Sequence, residues 1–564
     1  MTDGRDRAPN WEQMERLIKA VKGGESAAIL DELDGTKGTY FSVMFKWFAN
    51  KKADQATPAE LTALVDEWYT LTRQAWNGYV DFSQPSLSDV ATGTKGGDNA
   101  DLTAAVSTNL VAGQDDYAGL PLFACVDCNF EVDPVTLEPV ITAIAGITGG
   151  FERNNPDKMV GVLQQSGFVY KIETATVVRV GYTATFMPYA KIWPLAESVR
   201  PGNNGMRPWV VHAKYLNHTV DGKLTSYSGP IPTAYNISHN SLHTLEAATG
   251  AGYSGMCYCD WTFLQLMFWI KYASLSADGI LQGCLVNNLT AEAAVSEVGV
   301  KRILIAASGA PAFEAGMGAL LGEKNSNNQI DRGSASCYNI STNAGCKITA
   351  VEDLTIGADE YKAIYVDVDE AFDTTANSTC IATFHWPNGS CDNILGNDGS
   401  PASPTTGKYP AKLQGIEYSV GGYEVLADAI IDLFKDGDDY LAQAYTVDKV
   451  AKQTTSITGD YKPSGVVVDQ PASATGKYIK HQELSGGLFF PDLFGGSSST
   501  YYKDVWYFSA QTEALHEFLL FGSLSSGTAD HGLSFASVRY GLPLAIWLIV
   551  SRPSPNGNRG EWKA

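Results

Sequence analysis

The 564-residue sequence contains no run of eighteen apolar residues, which is about the length a transmembrane helix needs. The nearest approach is LPLAIWLIVS at 542–551, which is too short, so we expect no membrane insertion. Basic residues are also scarce, because 40 Lys and Arg face 62 Asp and Glu, for a formal net charge of -22. Nucleic-acid binding requires Lys and Arg at the phosphates, so this balance argues against it. An acidic surface is instead typical of a protein that stays soluble in a large assembly.

A signal peptide is missing from the first 21 residues, which hold no apolar segment of that kind. We therefore expect synthesis in a cytoplasm without standard secretion. The nine cysteines all lie between Cys125 and Cys391, and the last 173 residues contain none. The pairs Cys125–Cys128 and Cys257–Cys259 lack the matched spacing of a structural zinc site. Buried free thiols are thus the favoured interpretation and zinc the alternative, and we expect no metal.

Glycine and aromatic residues are abundant, with 55 Gly, 27 Tyr and 12 Trp. Together with β-branched runs broken by Gly and Pro, they favour strands joined by turns. The length exceeds that of one compact core, so we expect a multidomain α+β protein. The predicted parts are a helical N-terminal attachment region at 1–110, a β-rich domain at 111–235, and a C-terminal domain at 236–564. A β-rich insertion is expected within the last part, at about 300–410.

Three segments carry helix signals. The first, at 10–21, has apolar residues at helical spacing. The second begins at Thr57-Pro58, which combines an N-cap residue with proline at the first helical position. The third, at 260–281, is apolar nearly all round, and such a helix is buried rather than surface-lying.

Enzyme chemistry has no support in the sequence. The glycines Gly250, Gly252 and Gly255 match a phosphate-binding pattern, but no strand precedes them. His516 and Glu517 lack the second histidine of a zinc protease. The other candidate groups lack completing ligands, and structural histidines or solvated turns are favoured for them: His239 and His243; Asp367, Asp369 and Asp373; Asp436, Asp438 and Asp439. We therefore expect no catalytic residues, no cofactor and no enzyme activity.

Three stretches, taken in order, resemble one family. The helix at 260–273 resembles the one that opens the conserved half of formylglycine-generating-enzyme-type C-type lectin folds. GIEYSVGGYEVLAD at 415–428 resembles that family's Gly-x-Glu...Gly-Asn...Glu-Trp segment. The chain ending resembles the C-terminus of variable proteins diversified by retroelements, such as phage tropism determinants. The matching residues are Gly415, Glu417, Gly421 and Glu424, then YYKD at 501–504, LLFG at 519–522, Gly527, Gly532 and Ser551-Arg552.

The sequence also departs from this family. The segment GGYEVLAD lacks the usual Asn and Trp of the motif. The enzyme branch needs a cysteine pair near the C-terminus, and its absence excludes formylglycine chemistry. Calcium-dependent sugar binding is not indicated either, because neither Glu-Pro-Asn nor Gln-Pro-Asp is present.

Glycines at 522, 527 and 532 explain how such an ending could tolerate variation. Glycine adopts positive φ without steric cost, so these positions can fix the frame while the residues between them change. The resemblance implies a ligand-binding face at twelve positions: Val505, Trp506, Phe508, Ser523, Leu524, Ser525, Phe535, Ser537, Arg539, Tyr540, Ile546 and Leu548. The alternative is that Trp506, Phe508 and Tyr540 are strand residues that pack an ordinary β-core.

The resemblance implies a phage-type receptor-binding protein whose variable C-terminal C-type lectin-like domain attaches to a host. Its partners would be a host cell-surface receptor (protein or glycan) and, through the N-terminal region, other virion proteins. By analogy with phage fibres we expect a homotrimer that is made in the bacterial cytoplasm and located in the virion, at the tail or surface. The alternative is an architectural virion protein, either a capsid decoration or a tail subunit, that recognises no ligand.

Overall fold

The computed structural model describes residues 40–562 except 204, 334 and 528–530, so the helix predicted at 10–21 lies outside the described residues. The described chain is a strand-rich α+β protein, as predicted. None of its helices in these ranges is long and apolar enough to span a membrane. The α-helices of the described residues are α1 (Tyr40–Asn50), α2 (Pro58–Leu71), α3 (His239–Thr249) and α4 (Tyr258–Tyr272).

The strands between residues 77 and 213 form two antiparallel sheets. Their bounds are β1 (Asn77–Ser83), β2 (Thr94–Gly97), β3 (Cys125–Val132), β4 (Pro139–Ile144), β5 (Met159–Gln165), β6 (Phe168–Glu173), β7 (Val177–Thr183), β8 (Ile192–Pro194) and β9 (Trp209–Ala213). The five-stranded sheet has the order β2-β1-β7-β6-β8, and the four-stranded sheet has the order β4-β3-β5-β9. Seven of these strands, β3 to β9, lie within 111–235, the segment predicted to be β-rich.

Helix α2 starts where the sequence predicts. The Glu60 amide donates to the Thr57 side chain at 3.4 Å, and the Thr57 amide donates to Glu60 Oε2 at 2.8 Å. This reciprocal capping box satisfies two amides that the first helical turn leaves open. The buried faces of α1 and α2 share one apolar cluster with the four-stranded sheet β4-β3-β5-β9, and this cluster includes Trp68 and Phe130.

Helix α4 lies in the interior of the molecule. Fourteen of its fifteen residues are buried, which confirms the expectation from its apolar circumference. It ends at Tyr272, earlier than predicted, because Ala273 adopts a left-handed conformation with φ 49°. Its side chains join the largest apolar cluster, which also contains Val80 of β1, Val162 of β5 and Val210 of β9.

The segment predicted as a β-rich insertion forms sheets around an apolar cluster that includes Ile303, Leu320 and Ile364. Its strands are β10 (Thr290–Glu292), β11 (Glu297–Val300), β12 (Arg302–Ala306), β13 (Gly318–Glu323), β14 (Cys346–Ile356), β15 (Asp359–Val366), β16 (Phe372–Thr374) and β17 (Thr379–Thr383). A six-stranded sheet has the order β10-β17-β13-β14-β15-β12, and β11 pairs with β16.

The C-terminal strands build three sheets. Their bounds are β18 (Ala411–Leu413), β19 (Ile416–Tyr418), β20 (Tyr423–Val425), β21 (Ala429–Asp436), β22 (Asp439–Thr446), β23 (Lys462–Asp469), β24 (Thr475–Ser485), β25 (Leu488–Phe494), β26 (Val505–Phe508), β27 (Ala514–His516), β28 (Leu519–Leu520), β29 (Ala536–Val538) and β30 (Ile549–Val550). The seven-stranded sheet has the order β25-β24-β26-β29-β28-β20-β30, a four-stranded sheet has the order β23-β22-β21-β27, and β18 pairs with β19.

The parts predicted from the sequence do not have separate cores. The apolar cluster around α4 takes Trp76 from the region 1–110, Val162 from 111–235, and Trp506 from the C-terminal part. The region 1–110 is also not purely helical, because it contributes β1 and β2 to the five-stranded sheet. Within the described residues, the segment around β10–β17 contributes most of one cluster, and even this cluster includes Leu524 and Val550.

Candidate ligand-binding site

Most of the predicted binding face is buried, which corrects the expectation that it is exposed. Seven of the twelve side chains are inaccessible in the single chain: Val505, Trp506, Phe508, Ser523, Leu524, Phe535 and Ser537. The cause is the position of β26, which pairs with β24 on one side and β29 on the other. Its inward residues Trp506 and Phe508 belong to the same apolar cluster as α4. The ring centres of Trp506 and Phe518 are 5.3 Å apart.

Leu524 is buried for a different reason. Its amide donates to the Gly421 carbonyl at 2.9 Å, and its side chain lies within the core of the β10–β17 segment. The turn it belongs to therefore joins two parts of the molecule. The alternative of an ordinary packed β-core is supported for Trp506 and Phe508, whereas Tyr540 is partly exposed and lies outside the strands.

Five of the predicted residues reach the surface. Ser525 and Arg539 are exposed, and Tyr540, Ile546 and Leu548 are partly exposed. Tyr540 and Ile546 pack against a small apolar cluster that includes Val425. These five residues remain candidates for ligand contact.

Arg539 lies between two tyrosines at the end of β29. Its guanidinium carbon is 5.6 Å from the ring centre of Tyr507 and 5.4 Å from that of Tyr540. An arginine at such distances from aromatic rings is attracted by their electron-rich faces. We call the surface formed by Tyr507, Arg539 and Tyr540 the Arg539 face.

Tyr507 is not among the twelve predicted residues, although the alternation of strand residues indicates its exposure. Successive residues of a strand point to opposite faces. If Trp506 and Phe508 point into the core, Tyr507 between them must point away from it. The structure has this alternation, with Tyr507 partly exposed between two buried neighbours.

The three glycines near the end of the chain adopt the positive φ that the sequence predicts. Gly522, Gly527 and Gly532 all have positive φ, at 104°, 70° and 128°. At Gly532, a Cβ atom would lie 1.9 Å from Asp504 Oδ1, so no other residue fits without displacing this buried carboxyl. Asp504 in turn accepts a hydrogen bond from the Ser534 amide at 2.7 Å, which closes the turn before β29.

The residues that carry the family resemblance meet inside the molecule. Glu424 of β20 accepts two hydrogen bonds from Arg552, at 2.7 Å to Nε and 2.8 Å to Nη2, and both side chains are buried. Arg552 also donates to the carbonyls of Glu417 at 2.7 Å and Ala213 at 3.1 Å. The glutamate motif and the closing arginine, more than a hundred residues apart, are therefore one contact.

Glu417 is the most unusual titratable group of this motif. Burial, helped by the negative charge of Asp392, raises the pKa of its carboxyl to about 8. Its Oε2 accepts hydrogen bonds from the amides of Gly389 at 2.9 Å and Cys391 at 3.4 Å, which only partly offset burial. The group faces the interior and is out of reach of a ligand on the Arg539 face.

A concave surface, distinct from the Arg539 face, lies between two sheets. It is a groove of about 460 Å³ whose walls come from β23 and from the hairpin β24–β25. Strands β23 and β25 are both at the edges of their sheets, and Val467 and Leu493 expose 46% and 44% of their area there. Lys477 crosses the groove and donates to the Asp469 carbonyl. Edge strands with exposed apolar residues can bind an extended peptide.

The remaining motifs have structural roles. His239 is buried and hydrogen-bonded to the Leu426 carbonyl at 3.0 Å, and His243 bonds Glu246 at 3.0 Å, so the pair has no shared ligand position. Gly250 is the C-cap of α3, with φ 140°, and its phosphate-binding pattern has no strand before it. All nine cysteines are free and buried, as predicted.

One group of possible metal ligands occurs within the described ranges. The ligand atoms of Cys257, Cys259 and Asp260 lie within 4.8 Å of one another. Asp260 is already held by His212 at 2.9 Å, and the Arg559 guanidinium lies 3.4 Å from the Cys259 sulfur. A guanidinium at this position repels a metal cation, so these residues do not fit a metal site.

Comparison with known proteins adds no assignment. Neither a protein-family model nor a curated protein matches this chain at a significant level. The functional argument therefore rests on the residues and contacts of the chain itself.

Proposed function

We propose that this chain is a phage-type ligand-binding protein that attaches to a host through the Arg539 face. One observation carries the proposal: an exposed arginine lies close to two partly exposed tyrosines at the end of β29. Arginine and tyrosine are enriched among the residues that dominate binding energy. The ligand would be a host cell-surface protein or glycan.

The proposal includes the C-type lectin fold of retroelement-diversified variable proteins for the C-terminal part. Its support is the contact of Arg552, from the chain ending, with Glu417 and Glu424, which both come from the stretch at 415–428. A frame fixed by a buried ion pair and by glycines leaves surface residues free to differ between relatives. The surface that can vary is smaller than the resemblance implies, because seven of the twelve positions are buried.

The test removes the Arg539 face without touching the core. Tyr507→Ala, Arg539→Ala and Tyr540→Ala are combined, and binding to a panel of intact bacterial cells and to a glycan array is measured. Hot-spot side chains contribute about 2 kcal/mol or more each, so we expect a many-fold loss of binding. Thermal unfolding should change little, because these side chains are at least partly exposed.

The matched control is Trp506→Ala, one residue from Tyr507 but inside the core. Truncating a buried tryptophan typically costs about 3–5 kcal/mol, so this variant should unfold at a much lower temperature. Undiminished binding by the triple variant would refute the Arg539 face. If Leu493→Asp in the groove then abolished binding, the ligand site would be the groove.

The architectural alternative has an observation in its favour as well. Seven side chains of the predicted face pack the interior, as in a protein whose C-terminal domain serves only to support the fold. Under this alternative, the wild-type chain would bind no cell and no glycan. It would instead assemble with other virion proteins, which negative-stain electron microscopy can reveal.

A further inference from the structure

A short turn in the β10–β17 segment packs directly on a sheet. The turn Ala335–Cys337 lies over Gly322 of β13, where a Cβ atom would come within 1.7 Å of the Ser336 carbonyl oxygen. Glycine therefore permits a contact between two backbones that any side chain would prevent. Asn339, two residues after the turn, anchors it further by accepting a hydrogen bond from the Glu323 amide at 3.0 Å.

This contact brings two cysteines together. Cys380 of β17 is paired with Gly322 across the sheet, and its sulfur lies 3.7 Å from the sulfur of Cys337 in the turn. Both side chains are fully buried, and both thiols are free. The sulfurs are in contact without being bonded, so a small approach would suffice to join them.

The surroundings give the two thiols different characters. The hydrogen bond from the Cys380 thiol lowers the pKa of Cys337. Burial opposes this shift, and the positive charge of Arg332 adds to it. The same hydrogen bond and burial raise the pKa of Cys380. For comparison, burial raises the pKa of Cys284 in the same core to about 12. Cys337 is thus the sulfur that can react as a thiolate.

We propose that Cys337 and Cys380 form a site of reversible oxidation, at which a small peroxide converts the two thiols into a disulfide. The Cys337 thiolate attacks one peroxide oxygen and becomes a sulfenic acid, and the other oxygen leaves as hydroxide, which takes up a proton to become water. The Cys380 sulfur then displaces the sulfenic hydroxyl, which leaves as a second water with the Cys380 proton. Two thiols and one hydrogen peroxide give one disulfide and two waters.

The disulfide would tie the turn to β17 and close a loop between positions 43 residues apart. A cross-link of this kind restricts the unfolded chain more than the folded one, in the chain-entropy model. Oxidation should therefore raise the melting temperature of the protein. The inference concerns the β10–β17 segment and does not depend on ligand binding by the Arg539 face.

The experiment uses the full chain treated with hydrogen peroxide and then denatured and alkylated. We expect two fewer free thiols than the nine of the reduced protein, and a peptide map that links Cys337 to Cys380. The melting temperature should rise and return to its starting value with dithiothreitol. The peptide map on wild-type protein decides the outcome even if a variant fails to fold.

Variants sharpen the result. Cys380→Ser should form no cross-link and show no peroxide-induced rise in melting temperature. Cys346→Ser, which alters another buried thiol of the same core, should keep both effects. The proposal is wrong if all nine thiols survive the peroxide, or if the linked pair proves to be Cys257–Cys259.

Discussion

At the scale of single residues, the molecule holds several acids where water cannot reach them. Glu417, Glu424 and Asp428 are all fully buried, but only the last two have an arginine partner, Arg552 and Arg559 respectively. A buried carboxyl group with no cation beside it is more stable in its protonated, neutral form, so its pKa rises. Glu417 is therefore a group whose protonation is coupled to folding.

Glu417→Gln should flatten the dependence of stability on pH. The pKa of Glu417 is about 8 in the folded chain against a usual value of 4.5, so between these values the folded state binds more protons than the unfolded state. The free energy of unfolding then falls as the pH rises, by up to about 1.4 kcal/mol per pH unit from this group. Glutamine removes this contribution. Urea unfolding at a series of pH values measures both slopes.

Glu513→Gln, which changes an exposed carboxyl, is the control and should leave the slope of the wild-type protein unchanged. Equal slopes for the wild-type chain and Glu417→Gln would show that Glu417 is ionised in the fold, contrary to its raised pKa.

At the scale of elements, the ion pair of Glu424 and Arg552 fastens β20 to the segment after β30. The same arginine reaches the carbonyl of Ala213 at the end of β9, so three elements from distant parts of the chain meet at one side chain. Strand β20 also pairs in parallel with β30, and the ion pair lies just beyond this short pairing.

Removing one partner of this pair should be far more harmful than removing both. Arg552→Met leaves Glu424 buried without a cation, and breaking a buried pair in this way typically costs about 3–5 kcal/mol. The double variant Arg552→Met with Glu424→Leu has no unpaired charge at this site and should regain part of that loss. Chemical unfolding of both variants and the wild-type chain gives the comparison. A double variant less stable than Arg552→Met would contradict this account.

Elements with local signals could be predicted, and their partners could not. The start of helix α2 could be predicted from Thr57-Pro58, and the burial of α4 from its apolar circumference. Helix caps and periodicity depend on residues that are close together in the sequence. The order of the seven-stranded sheet depends on contacts between residues such as Glu424 and Val550, which no local pattern encodes. For the same reason the sequence indicated aromatic residues near the end of the chain but not that Trp506 points inward.

At the scale of the whole molecule, some apolar surface is left uncovered by the single chain. Leu110 and Val111 expose 90% and 66% of their area on a loop that the Thr108 amide closes onto the Val111 carbonyl at 2.8 Å. Adjacent exposed apolar side chains of this kind are typical of contact surfaces between proteins. This loop begins where the predicted N-terminal attachment region ends.

We predict that the chain is a homotrimer, by analogy with phage fibres. Light scattering at micromolar concentration should return about three times the chain mass of 60.6 kDa. If Leu110 and Val111 lie in the subunit contact, replacing both with Asp should shift the mass toward that of the monomer. Val298→Asp, which changes an 84% exposed side chain of the β10–β17 segment, is the matched control. A wild-type monomer at this concentration would refute the prediction.

The arginines that follow β30 have a consequence for proteolysis. Arg552 and Arg559 neutralise Glu424 and Asp428, and Asn556 donates to Asp260 of α4 at 2.8 Å, so a segment outside the strands completes the interior. A chain from which residues 552–562 are deleted would hold two buried acids without their cations, although every strand is present. Such a chain should be degraded by cellular proteases much faster than the chain that retains the segment.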